Sequence, residues 1–161
     1  MKHFSLSRIR EVFPEFNKRP ITENDFWRAC KRFRIIVKQL PLSVDGYCER
    51  RRGRYYILIN SRLTGYKWLH TALHEFCHFL FDAPDQNENY VFYRRPYDRD
   101  SIRDGMKRTV EARERFADAF ALIAMLPMPE LERLAHEDLT ENHELLRLCQ
   151  ERIKVRADYG L

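Results

Sequence analysis

The chain has 161 residues, of which 44% are hydrophobic, 33% charged and 13% aromatic, and its net charge is +5. This composition excludes collagen-like, low-complexity and disordered proteins, and the length predicts one domain over residues 1–161 with a core of its own. The positive charge is too small to indicate nucleic-acid binding unless it is concentrated on one face.

The cysteines and the hydropathy favour a cytoplasmic protein. Arg8, Arg10 and Glu11 interrupt any apolar stretch near the start, so no signal peptide is expected. The longest mostly apolar run, residues 117–129, is too short to cross a bilayer. The cysteines form no C-x-x-C pair and are predicted to be reduced thiols; they are Cys30, Cys48, Cys77 and Cys149.

Residues 1–34 are predicted to form N-terminal helices. Apolar side chains recur at helical spacing over residues 5–16, and Pro14 and Pro20 interrupt this pattern. Thr22 is a suitable N-cap for a second helix, because Glu23 and Asp25 follow it in the first turn.

Residues 35–60 predict a small, mostly antiparallel sheet of about three strands. Ile35 begins a β-rich run, Asp45-Gly46 is a turn signal, and residues 55–60 are the strongest strand of the sequence. The cations of residues 50–54 are predicted to lie in a solvated hairpin turn; contact with an acidic partner or nucleic acid is the alternative.

Residues 66–126 predict two apolar helices, 66–81 and 109–126, on either side of a polar insert, 84–108. An insert of this length is usually functional or disordered. We expect its aromatic residues to anchor it to the body of the protein. Alternatively, it forms a lid over a cleft, with a tyrosine such as Tyr93 donating to the reaction intermediate. Two more helices are predicted over residues 129–161, which completes an α+β fold with helices around the sheet.

The chemical centre of the sequence is an H-E-x-x-H motif, formed by His74, Glu75 and His78. On a helix, positions i and i+4 share one face, so both imidazoles can bind one metal ion. Glu75 lies about 100° around the helix from His74, beside the metal position, where a general base for water is needed. The alternative is a chance glutamate between two buried histidines, and an unpaired buried carboxylate would be costly.

A catalytic zinc needs three protein ligands and an open position, so the second apolar helix must supply a carboxylate. Its candidates are Glu111, Glu114 and Asp118. Glu114 and Asp118 share a helical face, so Glu114 could bind the metal while Asp118 accepts the N–H of a ligating histidine. We favour Glu114, with the other two as alternatives. His70 is too far along the helix to share the ion, and Cys77 is predicted to pack in the core.

Three segments of the chain resemble the ImmA/IrrE family of metallopeptidases. The family shows a strand ending in Asn, then A-H-E-L-G-H-L, then E-x-x-A-[ND]-x-F-A followed by Leu/Met-Pro. The matching segments are residues 56–60, 73–80 and 114–127, in the same order. The resemblance implies a zincin-like fold and a zinc-dependent endopeptidase with ligands His74, His78 and Glu114 and catalytic Glu75. Another divalent transition metal remains an alternative to zinc. Phe76 and Cys77 depart from the pattern, since the family has Leu and Gly there.

The resemblance also implies a protein substrate, because DNA-binding repressors are typical substrates of the family. We therefore expect a transcriptional repressor or an antitoxin-like regulator as the substrate, and no direct binding of nucleic acid or membrane. The strand that ends at Asn60 is expected to hold an extended substrate by β-augmentation. Two other classes stay open: a metal-binding regulator that binds a partner without cleaving it, and a basic nucleic-acid-binding module with a structural metal.

Overall fold

The structure, a computed structural model, describes residues 5–83, 90–93 and 104–161, with the backbone alone for 90–93 and 104–109. The described elements confirm an α+β fold. In chain order they are α1 (Leu6–Val12), α2 (Glu23–Phe33), β1 (Ile35–Leu40), β2 (Gly46–Arg51), β3 (Arg54–Asn60), α3 (Gly65–Phe81), β4 (Tyr90–Tyr93), α4 (Asp104–Met125), α5 (Met128–Leu134) and α6 (His143–Tyr159). None of the helices within these ranges has an apolar stretch that could span a bilayer.

The strands form a mostly antiparallel sheet with the order β1-β3-β2-β4. β2 pairs antiparallel with both β3 and β4, whereas β1 pairs parallel with β3. The strand β4 is an addition to the predicted sheet, because it lies inside the segment 84–108 that was expected to be a loop. β4 forms because the outer edge of β2 offers backbone groups for pairing. The sequence did not reveal this strand, because four residues are too few to show a strand period. The start of α4 also falls in that segment; residues 84–89 and 94–103 lie outside the described residues.

The basic run of residues 50–54 is divided between two strands and their turn. Arg52 and Gly53 both have positive φ, 51° and 74°, as a two-residue type I′ hairpin requires. The guanidinium of Arg50 lies 5.2 Å from the ring centroid of Tyr55, and Arg51 forms an ion pair of 3.2 Å with Glu49. These two cations therefore have partners within the chain.

The capped start of α2 is as predicted. Thr22 accepts a hydrogen bond from the backbone N–H of Asp25, and the carboxylate of Asp25 accepts one from the backbone N–H of Thr22. This reciprocal pair satisfies two N–H groups that a helix start leaves without partners. It fixes where the chain turns into α2.

The helix α3 is the centre of the molecule, and every side chain from residue 71 to residue 78 is buried. Its Phe76 ring lies 5.4 Å from that of Phe13, 6.2 Å from Phe26 and 6.1 Å from Phe33, measured between ring centroids. A helix that is apolar on nearly all sides must be covered on nearly all sides. Here α1 and α2 lie on one side, the sheet on another and α4 on a third.

A buried arginine ties α6 to the rest of the chain. Arg152 is fully buried and donates hydrogen bonds to the carbonyl oxygens of Leu126 (2.7 Å) and Leu161 (2.6 Å) and to Oδ1 of Asn17 (3.2 Å). Burial lowers the pKa of Arg152 to about 10. The guanidinium stays charged near neutral pH and satisfies groups from three separate parts of the chain.

Gly46 allows β2 to approach α3 closely at the level of the H-E-x-x-H motif. A Cβ added at Gly46 would lie 2.7 Å from Cγ2 of Thr71, 2.9 Å from the carbonyl oxygen of Leu58 and 3.4 Å from Cγ of Glu75. Distances of 2.7 and 2.9 Å are too short for carbon contacts. A glycine is therefore needed where β2 packs against Thr71 of α3, and Glu75 lies next to this contact.

We predict that Gly46→Ala lowers the free energy of unfolding by about 1–3 kcal/mol, because overpacking forces neighbours to move. Urea denaturation measures this change. The double variant Gly46→Ala/Thr71→Ser should recover part of the loss, since serine lacks the Cγ2 methyl but keeps the hydroxyl that bonds the Lys67 carbonyl. An alanine variant as stable as the wild type would contradict the close approach of β2 to α3.

Candidate metal centre

The helix α3 places both histidines of the H-E-x-x-H motif at one point. The Nε2 atoms of His74 and His78 lie 3.0 Å apart, as the i, i+4 spacing predicts. The exposed fractions of the side chains are small: the residues His74, Glu75 and His78 are 6%, 3% and 2% exposed. Two imidazole nitrogens thus face each other in a site from which most water is excluded.

Glu114 reaches these nitrogens from α4. Its Oε2 lies 3.2 Å from Nε2 of His74, and its Oε1 lies 3.2 Å from Nε2 of His78. One ligand atom from each of the three residues lies within 4.8 Å of the others. Of the carboxylates that the sequence offered as a third ligand, Glu114 is the one that the structure brings to both Nε2 atoms.

The outer nitrogens of the two histidines are held by aspartates. Nδ1 of His74 lies 2.8 Å from Oδ1 of Asp118, on α4, as the sequence predicts for that residue. Nδ1 of His78 lies 2.7 Å from Oδ2 of Asp82, at the C-terminal end of α3. Asp82 was not among the predicted site residues, although its spacing of four residues from His78 indicates a contact on the same helical face.

The donor set fits a transition metal ion. Two imidazole nitrogens and a carboxylate are the ligands of many catalytic zinc sites. In addition, Oε2 of Glu75 and Oε2 of Glu114 are buried and receive no hydrogen bond from the described residues. A buried carboxylate oxygen needs a donor or a cation, so both oxygens indicate that a further group belongs in the site.

The charges of the site raise the affinity of both histidines for protons. Burial lowers the pKa of His74, but the neighbouring carboxylates of Asp118 and Glu114 outweigh it and raise this pKa to about 10. Burial also lowers the pKa of His78, but its hydrogen bonds with Asp82 and Glu114 outweigh this effect and raise the pKa to about 9. Burial would raise the pKa of Glu114, yet the contacts with both histidines hold it well below its usual range. Protons and a metal ion therefore compete for the same ring nitrogens.

Glu75 is buried beside the ligands and makes its own electrostatic contribution. Burial raises its pKa to about 7, although the two histidines pull the pKa down. A carboxylate with a pKa near neutrality can both take up and release a proton under physiological conditions. This is the property that a general acid and base requires.

The structure overturns the expectation that β3 pairs with a substrate strand. β3 lies between β1 and β2 and is hydrogen-bonded on both sides, so it has no open edge. The side chain of Asn60 donates to the carbonyl oxygens of Leu42 (2.9 Å) and Val44 (3.1 Å) and accepts from the backbone N–H of Arg62. Asn60 therefore fixes the loop between β1 and β2.

Tyr93, the second candidate for substrate binding, is the last residue of β4 and pairs with Tyr47; its side chain lies outside the described part of the chain.

The two remaining candidates, Cys77 and His70, lie near the metal-binding cluster but contact other groups. Cys77 is fully buried in the hydrophobic core, as predicted, and burial raises the pKa of its thiol well above the usual range. Nε2 of His70 lies 4.0 Å from Oδ1 of Asp118. His70 and Asp118 both line a cavity of about 550 Å³ between α3, α4 and α6, which reaches the edge of the metal centre.

The comparison with protein families identifies the class. The family model described as the IrrE N-terminal-like domain of peptidase M78 matches residues 30–160, which is most of the chain. The chain therefore belongs to this peptidase family, and membership together with the His74, His78 and Glu114 cluster indicates a metallopeptidase. No curated protein and no solved structure matches the chain significantly.

We predict that the purified protein holds close to one metal ion per chain and that Glu114→Gln weakens binding by more than the 10–100-fold typical of an outer partner. Elemental analysis and chelator competition measure both. Glu111→Gln is the matched control, because Glu111 lies on the same helix three residues earlier and outside the cluster. Loss of metal in the Glu111 variant, or retention in the Glu114 variant, would show that the third ligand is misassigned.

The pKa directions predict that the metal-free chain loses stability as the pH rises from 6.5 to 8. Folding raises the pKa of His74 and His78 above 6.5, so the folded state keeps protons that the unfolded state releases in this range. Their contribution is complete below pH 6.5 and is lost as the pH rises toward the folded values. The raised pKa of Glu75 acts in the same direction up to about pH 7.

Urea unfolding in the presence of a chelator tests this trend, and pH 8 is the upper limit because thiols of the unfolded chain ionise near pH 8.5. With excess zinc the increment in stability should grow with pH, since binding releases the histidine protons. A metal-free chain whose stability stays constant or increases over this range would contradict the charge arrangement of the site.

Proposed function

We propose that the protein is a zinc-dependent endopeptidase whose ligands are His74, His78 and Glu114. The convergence of three ligand atoms, with Glu75 buried beside them, carries this proposal. Two imidazoles and one carboxylate leave a position for a reacting group on a tetrahedral ion. A hydrolytic site needs such an open position and an adjacent base.

The roles of the residues follow from their positions. Zinc held by His74, His78 and Glu114 would supply Lewis acidity, which polarises a carbonyl and lowers the pKa of a water toward neutrality. Glu75 accepts the proton of the attacking water on a carboxylate oxygen and delivers it to the leaving amine. Asp118 holds His74 through Nδ1, so that Nε2 stays directed at the site.

A structural metal, or a regulator that only sequesters a partner, is supported less well. Structural zinc sites are closed by four protein ligands, most often with cysteine. The nearest cysteine in sequence, Cys77, is packed in the core, and the metal-binding group among the described residues contains three members. Oε2 of Glu75 receives no hydrogen bond from the described residues. This oxygen could accept a proton during hydrolysis, whereas a closed structural site would give it no role.

We propose a protein as the substrate, in particular a transcriptional repressor or an antitoxin-like regulator, on the basis of the family. Within the described residues, β4 has a neighbouring strand on one side only, so its other edge can pair with an extended peptide. In this proposal the edge of β4, and not β3, pairs with the peptide, and Tyr93 lies on the strand that pairs with it. The four cysteines are free thiols, which suits the cytoplasm as the compartment.

We predict that Glu75→Gln retains the metal and loses at least about 10²-fold in cleavage rate, because glutamine cannot accept the proton of the water. The assay incubates the purified protein with candidate repressors and identifies metal-dependent fragments by mass spectrometry. Glu132→Gln, on the exposed surface of α5, is the control and should cleave as the wild type does. Cleavage by the Glu75 variant at the wild-type rate would remove Glu75 from the mechanism, and loss of metal would make it a ligand.

A further inference from the structure

Asp82 occupies a position that the architecture of a helix does not favour. It follows the last residue of α3, where the helix dipole presents its negative end and an acidic side chain is unfavourable. The side chain is nevertheless largely buried, with 11% of its surface exposed, and both of its oxygens have partners. Oδ2 lies 2.7 Å from Nδ1 of His78, and Oδ1 lies 3.5 Å from Nε of Arg113.

We propose that Asp82 is a positioning residue for His78 as a metal ligand, and that Arg113 holds Asp82 in place; this inference rests on the metal site of the proposed function. A histidine that binds a metal through Nε2 must carry its proton on Nδ1. A carboxylate that accepts this proton selects the tautomer, fixes the orientation of the ring and makes Nε2 a stronger donor to the metal. The geometry of Asp82 and His78 meets this requirement.

The two histidines are thus supported in the same way from different elements. Asp118 on α4 accepts from His74, whereas Asp82 at the end of α3 accepts from His78. Arg113 is the residue before Glu114, so α4 contacts both the metal ligands and the carboxylate behind one of them. Two links between α3 and α4 therefore flank the site: Asp118 with His74, and Arg113 with Asp82.

The experiment compares the zinc affinity of the full chain with that of three variants, by competition with a chromophoric chelator at fixed pH. Asp82→Ala should weaken binding about 10–100-fold. Asp82→Asn should weaken it less, because the amide oxygen still accepts from Nδ1 but carries no charge. Arg113→Gln should have a smaller effect than Asp82→Ala, since this ion pair is long and the arginine is 46% exposed. Asp138→Ala, an exposed acid outside α3 and α4, is the control.

A second readout separates positioning from a general loss of structure. In the zinc-loaded chain, long-range proton–nitrogen NMR spectra of the histidine rings report which nitrogen carries the proton. The Asp82 variants should shift the signals of His78 and leave those of His74 unchanged, while the melting temperature of the metal-free chain reports structural damage. The isosteric asparagine variant keeps the test decisive if the alanine variant folds poorly.

Three results would overturn the inference. Wild-type zinc affinity in both Asp82 variants would show that His78 needs no partner at Nδ1. Weakened affinity with unchanged His78 signals and a lower melting temperature would assign Asp82 a structural role only. A wild-type chain that binds no zinc would overturn the proposed function as well, whereas the first two results leave that function intact.

Discussion

The contact between α3 and α4 is the interaction on which the rest of the structure depends. Along most of its length it joins apolar and small side chains, and Ala117 and Ala121 of α4 are fully buried. At its centre, however, Glu114 of α4 reaches two histidines of α3. Burial of one unpaired charge costs several kcal/mol, so these groups are tolerated only because they neutralise one another. The helices must therefore pack in one register, and alanines on α4 let them approach closely enough.

The surrounding elements serve this contact by holding α3 on its other sides. The sheet approaches it through Gly46, at the level of Glu75. Phe13, which follows α1, and Phe26 of α2 cover it with aromatic rings that pack around Phe76. Because α3 is enclosed, its side chains have little freedom to rotate. Precise placement of the histidines follows from this packing.

The sequence predicted those features that depend on local spacing. His74 and His78 share a helical face because they are four residues apart, and Glu114 and Asp118 share one for the same reason. The capping residue Thr22 and the turn at Gly53 were predictable from residue type. These signals need no knowledge of which elements meet in space.

Other features depend on the order of the strands or on contacts between distant residues, and the sequence did not predict them. β3 reads as the strongest strand, yet nothing in its residues tells that β1 pairs with its second edge. β4 is too short for a hydrophobic period, so it was expected to be part of a loop. Asp82 was overlooked because it follows the end of the apolar pattern, and its ion pair with Arg113 exists only once α4 has packed.

The balance of charge around the histidines suits either protons or a divalent cation. Glu75, Glu114, Asp118 and Asp82 surround two imidazoles, and Arg113 offsets one of these carboxylates. Two protons on the histidines and one divalent ion carry equal charge, so either can compensate the excess of acids.

The position of the positive charge nevertheless matters for Glu75. In the metal-free chain, burial raises its pKa to about 7, so a large fraction of this carboxyl is protonated at neutral pH. In the proposed function, a cation bound by His74, His78 and Glu114 would favour the ionised form of Glu75. Metal binding would then also put Glu75 into the form that can accept a proton.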